Sequence, residues 1–274
     1  MSVHVTDAVV LNRHLMGDSS LLVTLYTRDL GKIKLVARGA RRPKSRLTSA
    51  LQPFTLISVT FRRKDHRDLQ TLGQADVLTV YRRLGEDLTR MSYAGAVVEL
   101  INRLVIGEEP APELYDLLTG TLHTLNTLPV EGCEALFWQF QLQLAGLFGY
   151  APMFSACAAC DRALDEITVT RFSPALGGIL CPRCLAQDHG AFLVSVGTIK
   201  LLSRIQSLSP DLLARMKSTR SGRQETIRVI RSLYLYHMDD GRELKALKFL
   251  ESIEENPVPD AAAPAPKSAG EPLS

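Results

Sequence analysis

The sequence lacks any stretch of 18 or more consecutive apolar residues, the length that a membrane-spanning helix requires. Residues 1–20 also lack the charged start and apolar core that are typical of a signal peptide. With 46% hydrophobic and 22% charged residues over 274 positions, the composition is that of a folded chain with a sizeable core. We therefore expect a soluble, cytoplasmic protein with no membrane partner.

Motifs of the common enzyme classes are missing as well. The chain contains no phosphate-binding P-loop, no GxGxxG fingerprint, no HExxH metal motif and no nucleophile elbow. Its six histidines are scattered, and none is paired with an acid at ligand or catalytic spacing. A lone histidine on a predicted helix, such as His123 or His237, is usually a packing or surface residue. The sequence therefore predicts no catalytic residue and a protein that is not an enzyme.

Negative charge is scarce in the first part of the chain. Residues 1–80 contain 13 Lys and Arg but 6 Asp and Glu, which gives +7, whereas residues 81–274 contain 19 and 23, which gives −4. The two sums add to the +3 of the whole chain. Although a solvated charged face is common, a basic first part on a slightly acidic body favours a polyanionic partner.

Hydrophobic periodicity divides the chain into two parts. Over residues 1–80, apolar and polar residues alternate as in short strands, and about five strands, including a pair around Gly73, predict a small β-barrel. Over residues 81–255 the apolar residues recur at helical spacing, and the segment CEALFWQFQLQLAGLFG predicts a central buried helix. Residues 256–274 hold five prolines and almost no large apolar side chain, so they are predicted to be disordered.

A basic segment without any acid follows one of the predicted strands. The string VARGARRPKSRL, residues 36–47, contains five Lys and Arg, while Gly39 permits a turn and Pro43 disfavours a helix. The segment predicts an exposed loop that grips a polyanion; the alternative is a flexible, solvated loop without a partner. Lys32 and Lys34 alternate with apolar residues on the strand before it and are predicted to face solvent. The residues predicted to contact phosphates are Lys32, Lys34, Arg38, Arg41, Arg42, Lys44, Arg46, Arg62, Arg63 and Lys64.

Four of the five cysteines form a pattern that is typical of a metal site. Cys157 and Cys160 enclose two residues, Cys181 and Cys184 enclose two more, and twenty residues separate the pairs. This spacing predicts one zinc ion held by four thiolates, a closed shell with a structural role. Disulfides are disfavoured in a chain without an export signal, and a redox CxxC usually stands alone beside a βαβ unit. Cys133, on the apolar helix, is predicted to be a buried small hydrophobe.

Three segments share their pattern with one known family. They are GDSSLLVTLYTRDLGKIKLVARGARRPKSRLTSALQPF over residues 17–54, the four-cysteine motif, and GRELKALKFLES over residues 241–252. Together they resemble the RecO recombination mediators, over about residues 3–255. The first segment is the most specific, whereas the cysteine motif occurs in many zinc proteins and is not universal in this family.

The resemblance implies an architecture and an activity. It implies an α+β fold, with an OB-fold over residues 1–80 and a helical domain over residues 81–255 that carries a zinc-ribbon-like module at 154–190. It implies a protein that binds single- and double-stranded DNA, anneals complementary strands and helps load RecA onto DNA coated by single-strand-binding protein. The implied partners are RecR, the acidic tail of the single-strand-binding protein and, indirectly, the RecA filament, in the cytoplasm and at the nucleoid during repair. The competing hypotheses are a zinc-ribbon adaptor that binds RNA or an acidic protein surface, and a nucleic-acid enzyme.

Overall fold

A computed structural model describes residues 2–63, 69–238 and 242–255. Within these residues the first part of the chain forms five strands and one short helix: β1 Ser2–Met16, β2 Ser20–Thr27, β3 Gly31–Ala37, α1 Leu47–Ala50, β4 Leu56–Arg63 and β5 Gln70–Thr79. The strands close into a barrel in the order β1-β2-β3-β5-β4, with β4 paired to β1 and a parallel contact between β3 and β5. The predicted tail at 256–274 lies outside the described residues.

The apolar residues of the alternating pattern point into the barrel and form its core. Ile33, Leu35 and Ala37 are buried in its core, and the residues between them face outward. Gly73 does not separate a pair of strands, as the sequence predicted; it lies within the single strand β5. A side chain at Gly73 would meet the Thr60 carbonyl oxygen at 3.0 Å, next to a register shift between β4 and β5, so glycine allows the two strands to approach here.

The second part of the chain is mainly helical within the described residues. Its helices are α2 Arg82–Glu86, α3 Leu88–Leu104, α4 Pro112–Thr127, α5 Cys133–Leu147, α6 Val196–Ile205, α7 Pro210–Leu213, α8 Arg220–Met238 and α9 Lys245–Glu255. Ten of the 15 residues of α5 are buried, which confirms its prediction as the central helix. Together with the strand-rich first part, these helices confirm the predicted α+β fold class. No helix in the described ranges is both long and apolar enough to cross a membrane.

Buried polar side chains fix the ends of the helices. The Asp87 side chain accepts from the Arg90 backbone N–H at 2.8 Å and caps the start of α3. Gln139, buried on α5, donates to the carbonyl oxygens of Ile205 at 2.7 Å and Leu208 at 2.8 Å. These carbonyls follow the last turn of α6 and would otherwise be unpaired in the core, so Gln139 holds α6 against α5.

A small sheet is inserted between α5 and α6. Its strands are β6 Met153–Cys157, β7 Thr170–Ser173, β8 Gly178–Leu180 and β9 Phe192–Val194, in the order β6-β8-β7-β9. Strands β7 and β8 form an antiparallel hairpin, paired from Arg171 with Leu180 to Ser173 with Gly178. One face of the sheet packs on the helices through Phe154 and Phe172, so the insertion shares the main core.

The barrel docks on the helices through its β2–β3 turn. Arg28 forms an ion pair with Asp116 at 3.4 Å and lies over the ring of Tyr115. Tyr26 is fully buried between the barrel and the helices, and this burial raises its pKa to about 12. Gly31 has a φ of +65°, and any Cβ there would overlap the carbonyl oxygen of Glu109. The close approach of Gly31 to the Glu109 backbone holds the barrel against the helical part of the chain.

Gly17 and Gly31 have the same backbone conformation, so substitutions at the two positions distinguish the effect of the Glu109 contact from that of backbone strain. Gly17 has a φ of +62° and Gly31 a φ of +65°, but only Gly31 has backbone in the path of a Cβ. We expect Gly17→Ala to lower the free energy of unfolding by about 1 kcal/mol, the usual cost of this conformation. Gly31→Ala should cost about 3 kcal/mol or more because the Glu109 backbone must also shift. Denaturant unfolding measures both, and equal losses would contradict the docking contact.

Candidate nucleic-acid interface and metal site

The basic loop, residues 38–46, is anchored at both of its ends. Gly39, with a φ of +67°, turns the chain after β3, and the Arg42 N–H donates to its carbonyl at 3.1 Å. Ala40 is fully buried in the barrel core, and the Thr48 hydroxyl donates to its carbonyl oxygen. The loop therefore has a defined path on the barrel, which is what a surface needs if it is to hold a ligand without a large ordering cost.

The side chains of the basic loop point away from the barrel. All five of its cations, Arg38, Arg41, Arg42, Lys44 and Arg46, are exposed. Among the described residues none of them forms an ion pair with an acid. Arg41 is held by the tip of the β1–β2 hairpin, since its guanidinium donates to the Asp18 carbonyl at 3.1 Å. An exposed set of unpaired cations is a surface for a polyanion.

A groove beside the loop brings together cations that are distant in the sequence. Arg38 and Arg62 line the same groove of about 530 Å³, because β3, β5 and β4 are adjacent in the barrel. The β5 residues Gln70, Thr71 and Gln74 also line it. Sequence reasoning missed these three, although their amide and hydroxyl groups are usual partners of phosphate and sugar oxygens. Of the three, Thr71 lies opposite Arg62 of β4, a pairing between strands that the sequence pattern did not indicate.

The other predicted cations have different surroundings. Lys34 is exposed, as predicted, but the expectation that Lys32 also faces solvent is wrong. Its ammonium donates to the Asn102 carbonyl at 2.8 Å near the end of α3, and burial, followed by the charge of Lys34, lowers its pKa. Arg63 is paired with Glu108 at 2.8 Å. Lys64 lies outside the described residues.

Phe61 is among the residues that line the groove beside the basic loop, but it is only 2% exposed. Of Tyr26, Phe54 and Phe61 in the barrel part of the chain, Phe61 alone belongs to the barrel core. Tyr26 is buried against the helices, and Phe54 packs against the same helical core. All three rings are therefore committed to packing, which leaves cations and polar groups as the means of contact.

The four predicted metal ligands converge at the edge of the small sheet. Strands β6 and β8 pair in parallel, so the turn after Cys157 and the turn after Cys181 lie side by side. All four Sγ atoms, of Cys157, Cys160, Cys181 and Cys184, lie within 4.8 Å of one another. The Cys160 and Cys181 sulfurs are 3.7 Å apart. Tetrahedral ligands at a zinc–sulfur distance of about 2.3 Å are separated by about 3.8 Å, so this cluster fits a metal ion.

Backbone groups favour the thiolate form of one ligand. Burial raises the pKa of the Cys157 thiol. Hydrogen bonds from the backbone N–H groups of Cys181, Ala159 and Cys160 outweigh the effect of burial and lower the pKa to about 7. The hydrogen bond with Cys160 raises the pKa of Cys184 to about 12. Negative charges this close repel one another, so only a cation between them lets all four thiols ionise together. Cys133 is buried outside the cluster, and burial raises its pKa to about 11.

A second cavity, of about 230 Å³, lies between α3, α5, α8 and α9. Its floor is apolar and includes Leu100, Trp138 and Ile230. Arg231 stands at its rim, is exposed, and has no ion pair within the described ranges. Sequence reasoning assigned nothing here, because the cavity depends on the packing of four helices that are distant in the chain.

Comparison with known proteins identifies similar chains. The family described as "Recombination protein O N terminal" matches residues 1–81, and the family described as "Recombination protein O C terminal" matches residues 85–248. A "DNA repair protein RecO" of Symbiobacterium thermophilum is 33% identical over 255 residues, covering 92% of this chain and 98% of that protein. Proteins of the same name from Pelotomaculum thermopropionicum and Roseiflexus sp. are 32% and 34% identical and cover 96% and 92% of this chain, and 99% and 87% of their own lengths.

Proposed function

We propose, since the chain belongs to the RecO family of DNA repair proteins, that it anneals complementary single strands and helps load RecA onto DNA coated by single-strand-binding protein. It acts by binding rather than by catalysis, in the cytoplasm and at the nucleoid during repair. The observation that carries the proposal is the anchored basic loop, with five exposed cations beside a groove that Arg38 and Arg62 share. Of the predicted DNA-binding residues, we assign Lys34, Lys44 and Arg46 to this surface as well, whereas Lys32 and Arg63 contact the helical part.

We assign the barrel, residues 1–80, to the OB-fold class of nucleic-acid-binding domains. A closed five-stranded barrel with the order β1-β2-β3-β5-β4 supports this assignment. OB-folds bind oligonucleotides on the face of β2 and β3 and with the loops at the barrel rim. The basic loop follows β3 directly and reaches the β1–β2 hairpin through Arg41, so it lies where such domains hold a strand. Residues 81–255 form the helical domain of this proposal.

The chemistry of this surface suits annealing. Guanidinium groups bind phosphate oxygens in a fixed, forked geometry, whereas lysine acts as a point charge. Because the aromatic rings of the barrel are packed away, contacts to the backbone dominate and the bases remain free to pair. Two strands whose charge has been neutralised can then approach each other, and the affinity should fall steeply with salt because bound cations are released from the DNA.

We infer that the four-cysteine cluster holds one structural zinc ion in a zinc-ribbon-like module over residues 154–190. The sulfur separations support a tetrahedral shell, and a shell of four thiolates leaves no position for a reacting water. When bound, the ion supplies the positive charge that stabilises the thiolates. The Cys157 thiolate accepts from the Cys181 N–H at 3.4 Å, which holds the two turns in register. Because residues of the small sheet belong to the same hydrophobic core as the helices, an ordered sheet stabilises the helical domain.

The proposed partners are those of a recombination mediator: single- and double-stranded DNA, RecR, the single-strand-binding protein and, indirectly, the RecA filament. We place the acidic tail of the single-strand-binding protein in the cavity between α3, α5, α8 and α9. An apolar floor with Arg231 at its rim supports this placement, since a tail segment that carries both acidic and apolar residues would satisfy both features.

Strand annealing tests the proposal against a zinc-ribbon adaptor that binds RNA or an acidic protein surface. Complementary oligonucleotides with a fluorophore and a quencher should pair faster with the protein than without it. In the presence of magnesium and ATP, the protein should neither hydrolyse the ATP nor cleave the DNA. On strands coated by single-strand-binding protein, acceleration should be greater with the full-length coat than with a coat that lacks its acidic tail. No acceleration on bare strands would leave the adaptor as the better account.

A further inference from the structure

A second basic segment, free of acids, connects α7 to α8. The string LLARMKSTRSGRQ, residues 212–224, contains four Lys and Arg and no Asp or Glu. Three of these, Arg215, Lys217 and Arg220, are exposed, and we name them the helical basic surface. None of the three forms an ion pair with any acid in the ranges that the structure describes.

Packing gives the helical basic surface a defined path. Leu213 is fully buried just before it, and Ala214 lies so close to Gly132 that a Cβ on that glycine would be 2.8 Å from the Ala214 Cα. On the other side Thr219 caps α8, since its hydroxyl accepts from the Gly222 N–H at 3.1 Å. The cations thus project from a segment that is held at both ends, as they do in the basic loop of the barrel.

Two acids that flank this segment in the fold have other partners. Glu134 pairs with Arg223 at 2.6 Å, which removes the fourth cation of the string from the surface as well. Glu225 accepts from the Ser195 hydroxyl at 2.7 Å and from its N–H at 3.2 Å, at the start of α6. Neither carboxylate forms an ion pair with Arg215, Lys217 or Arg220, although the exposed Asp211 lies four residues before Arg215.

The helical basic surface is separate from the basic loop of the barrel. The loop lies at the Ser19 end of β2, where the Arg41 N–H donates to the Ser19 carbonyl at 3.0 Å. The helices dock at the opposite end of β2, through Arg28 and the β2–β3 turn. Eight residues of extended strand span about 25 Å, so at least that length of barrel separates the loop from the docked end.

We propose that the helical basic surface binds a second nucleic-acid backbone, so that one chain holds two segments of DNA at once. This inference rests on the proposed function and extends it. Exposed hydroxyls of Ser218, Thr219 and Ser221 alternate with the cations, and hydroxyls beside cations are usual partners of phosphate oxygens. Arg215, Lys217 and Arg220 do not line the cavity between α3, α5, α8 and α9, where a peptide would find apolar contacts, and this favours nucleic acid over an acidic peptide.

The stoichiometry of a short oligonucleotide tests the proposal. With a single strand of about eight nucleotides, within the range of one OB-fold, titration well above the dissociation constant should give two strands per wild-type chain. The variant Arg215→Ala, Lys217→Ala, Arg220→Ala should bind one strand. A matched control removes three charges that are dispersed over the second part of the chain, Arg162→Ala, Lys200→Ala, Lys245→Ala, and should still bind two. Analytical ultracentrifugation of the same samples counts chains per complex.

The outcomes distinguish this inference from the proposed function. One strand per wild-type chain, lost when the barrel arginines are replaced, would overturn the second surface and leave the barrel site intact. Two strands per chain in the helical triple variant would also overturn it. If that variant keeps its DNA stoichiometry but loses affinity for an acidic peptide, the surface binds protein and the proposal is wrong. Unchanged DNA binding after replacement of the barrel arginines would instead contradict the proposed function.

Discussion

Replacing Arg38, Arg41 and Arg42 with alanine is expected to lower the affinity for a single-stranded oligonucleotide by about two orders of magnitude at moderate salt. Each lost phosphate contact costs about 1 kcal/mol, and three such losses correspond to about a hundredfold in the dissociation constant. All three side chains are exposed, so the free energy of unfolding should change little. Fluorescence anisotropy measures the affinity, and the rate of annealing should fall in parallel.

A charge-matched control makes this first result specific. The variant Arg162→Ala, Lys200→Ala, Lys245→Ala loses an equal number of charges from the second part of the chain, where Lys200 forms a surface ion pair with Asp165. It should bind the oligonucleotide within a few-fold of wild type, because surface ion pairs of this kind contribute little. If both variants weaken binding equally, net charge rather than the basic loop governs the affinity, and the proposed interface is wrong.

Replacing Cys157 and Cys160 with serine is expected to remove the metal and to unfold the small sheet. Two of four ligands are lost, and the metal's binding free energy is part of the folding free energy of such modules. We expect about one zinc per wild-type chain and none in the variant by elemental analysis. Thermal unfolding should begin at least 10 °C lower, because the sheet packs on α5 and α6 through Phe154 and Phe172.

Cys133→Ala separates loss of the metal from loss of a buried thiol. Cys133 is fully buried on α5 and is not part of the cluster, so its replacement should leave the zinc content at one per chain and cost about 1 kcal/mol. Lowering the pH should release the ion from the wild-type chain, because protons compete for the thiolates. A wild-type protein that contains no zinc and is as stable as its Cys157→Ser, Cys160→Ser variant would contradict the assigned role of the cluster.

Local patterns in the sequence were sufficient for much of this structure. The alternation at Ile33 and Leu35 indicated a barrel strand, because successive side chains of a strand point to opposite faces and the apolar ones face the core. The cysteine spacing indicated a four-ligand cluster, because both pairs sit in tight turns whose geometry is local. The exposure of the basic loop followed in the same way from Gly39, Pro43 and the absence of acids.

Features that depend on docking could not be predicted. Lys32 follows the same alternation as Lys34, but the end of α3, seventy residues later, covers it and accepts its hydrogen bond. Gly31 lies at the start of β3, and nothing nearby in the sequence indicates that Glu109 packs on it. The groove shared by Arg38 and Arg62 required the order of three strands. In each case the missing information is a contact between distant segments, which periodicity does not contain.

The salt dependence of DNA binding tests the account most directly. The dissociation constant of wild-type protein and of the variant Arg38→Ala, Arg41→Ala, Arg42→Ala should be measured for one oligonucleotide over a series of salt concentrations. If the basic loop grips phosphates, the logarithmic slope of the variant should be shallower by about 2, since each contact to a single strand contributes about 0.7. Parallel lines for the two proteins would remove the loop from the interface and contradict the account.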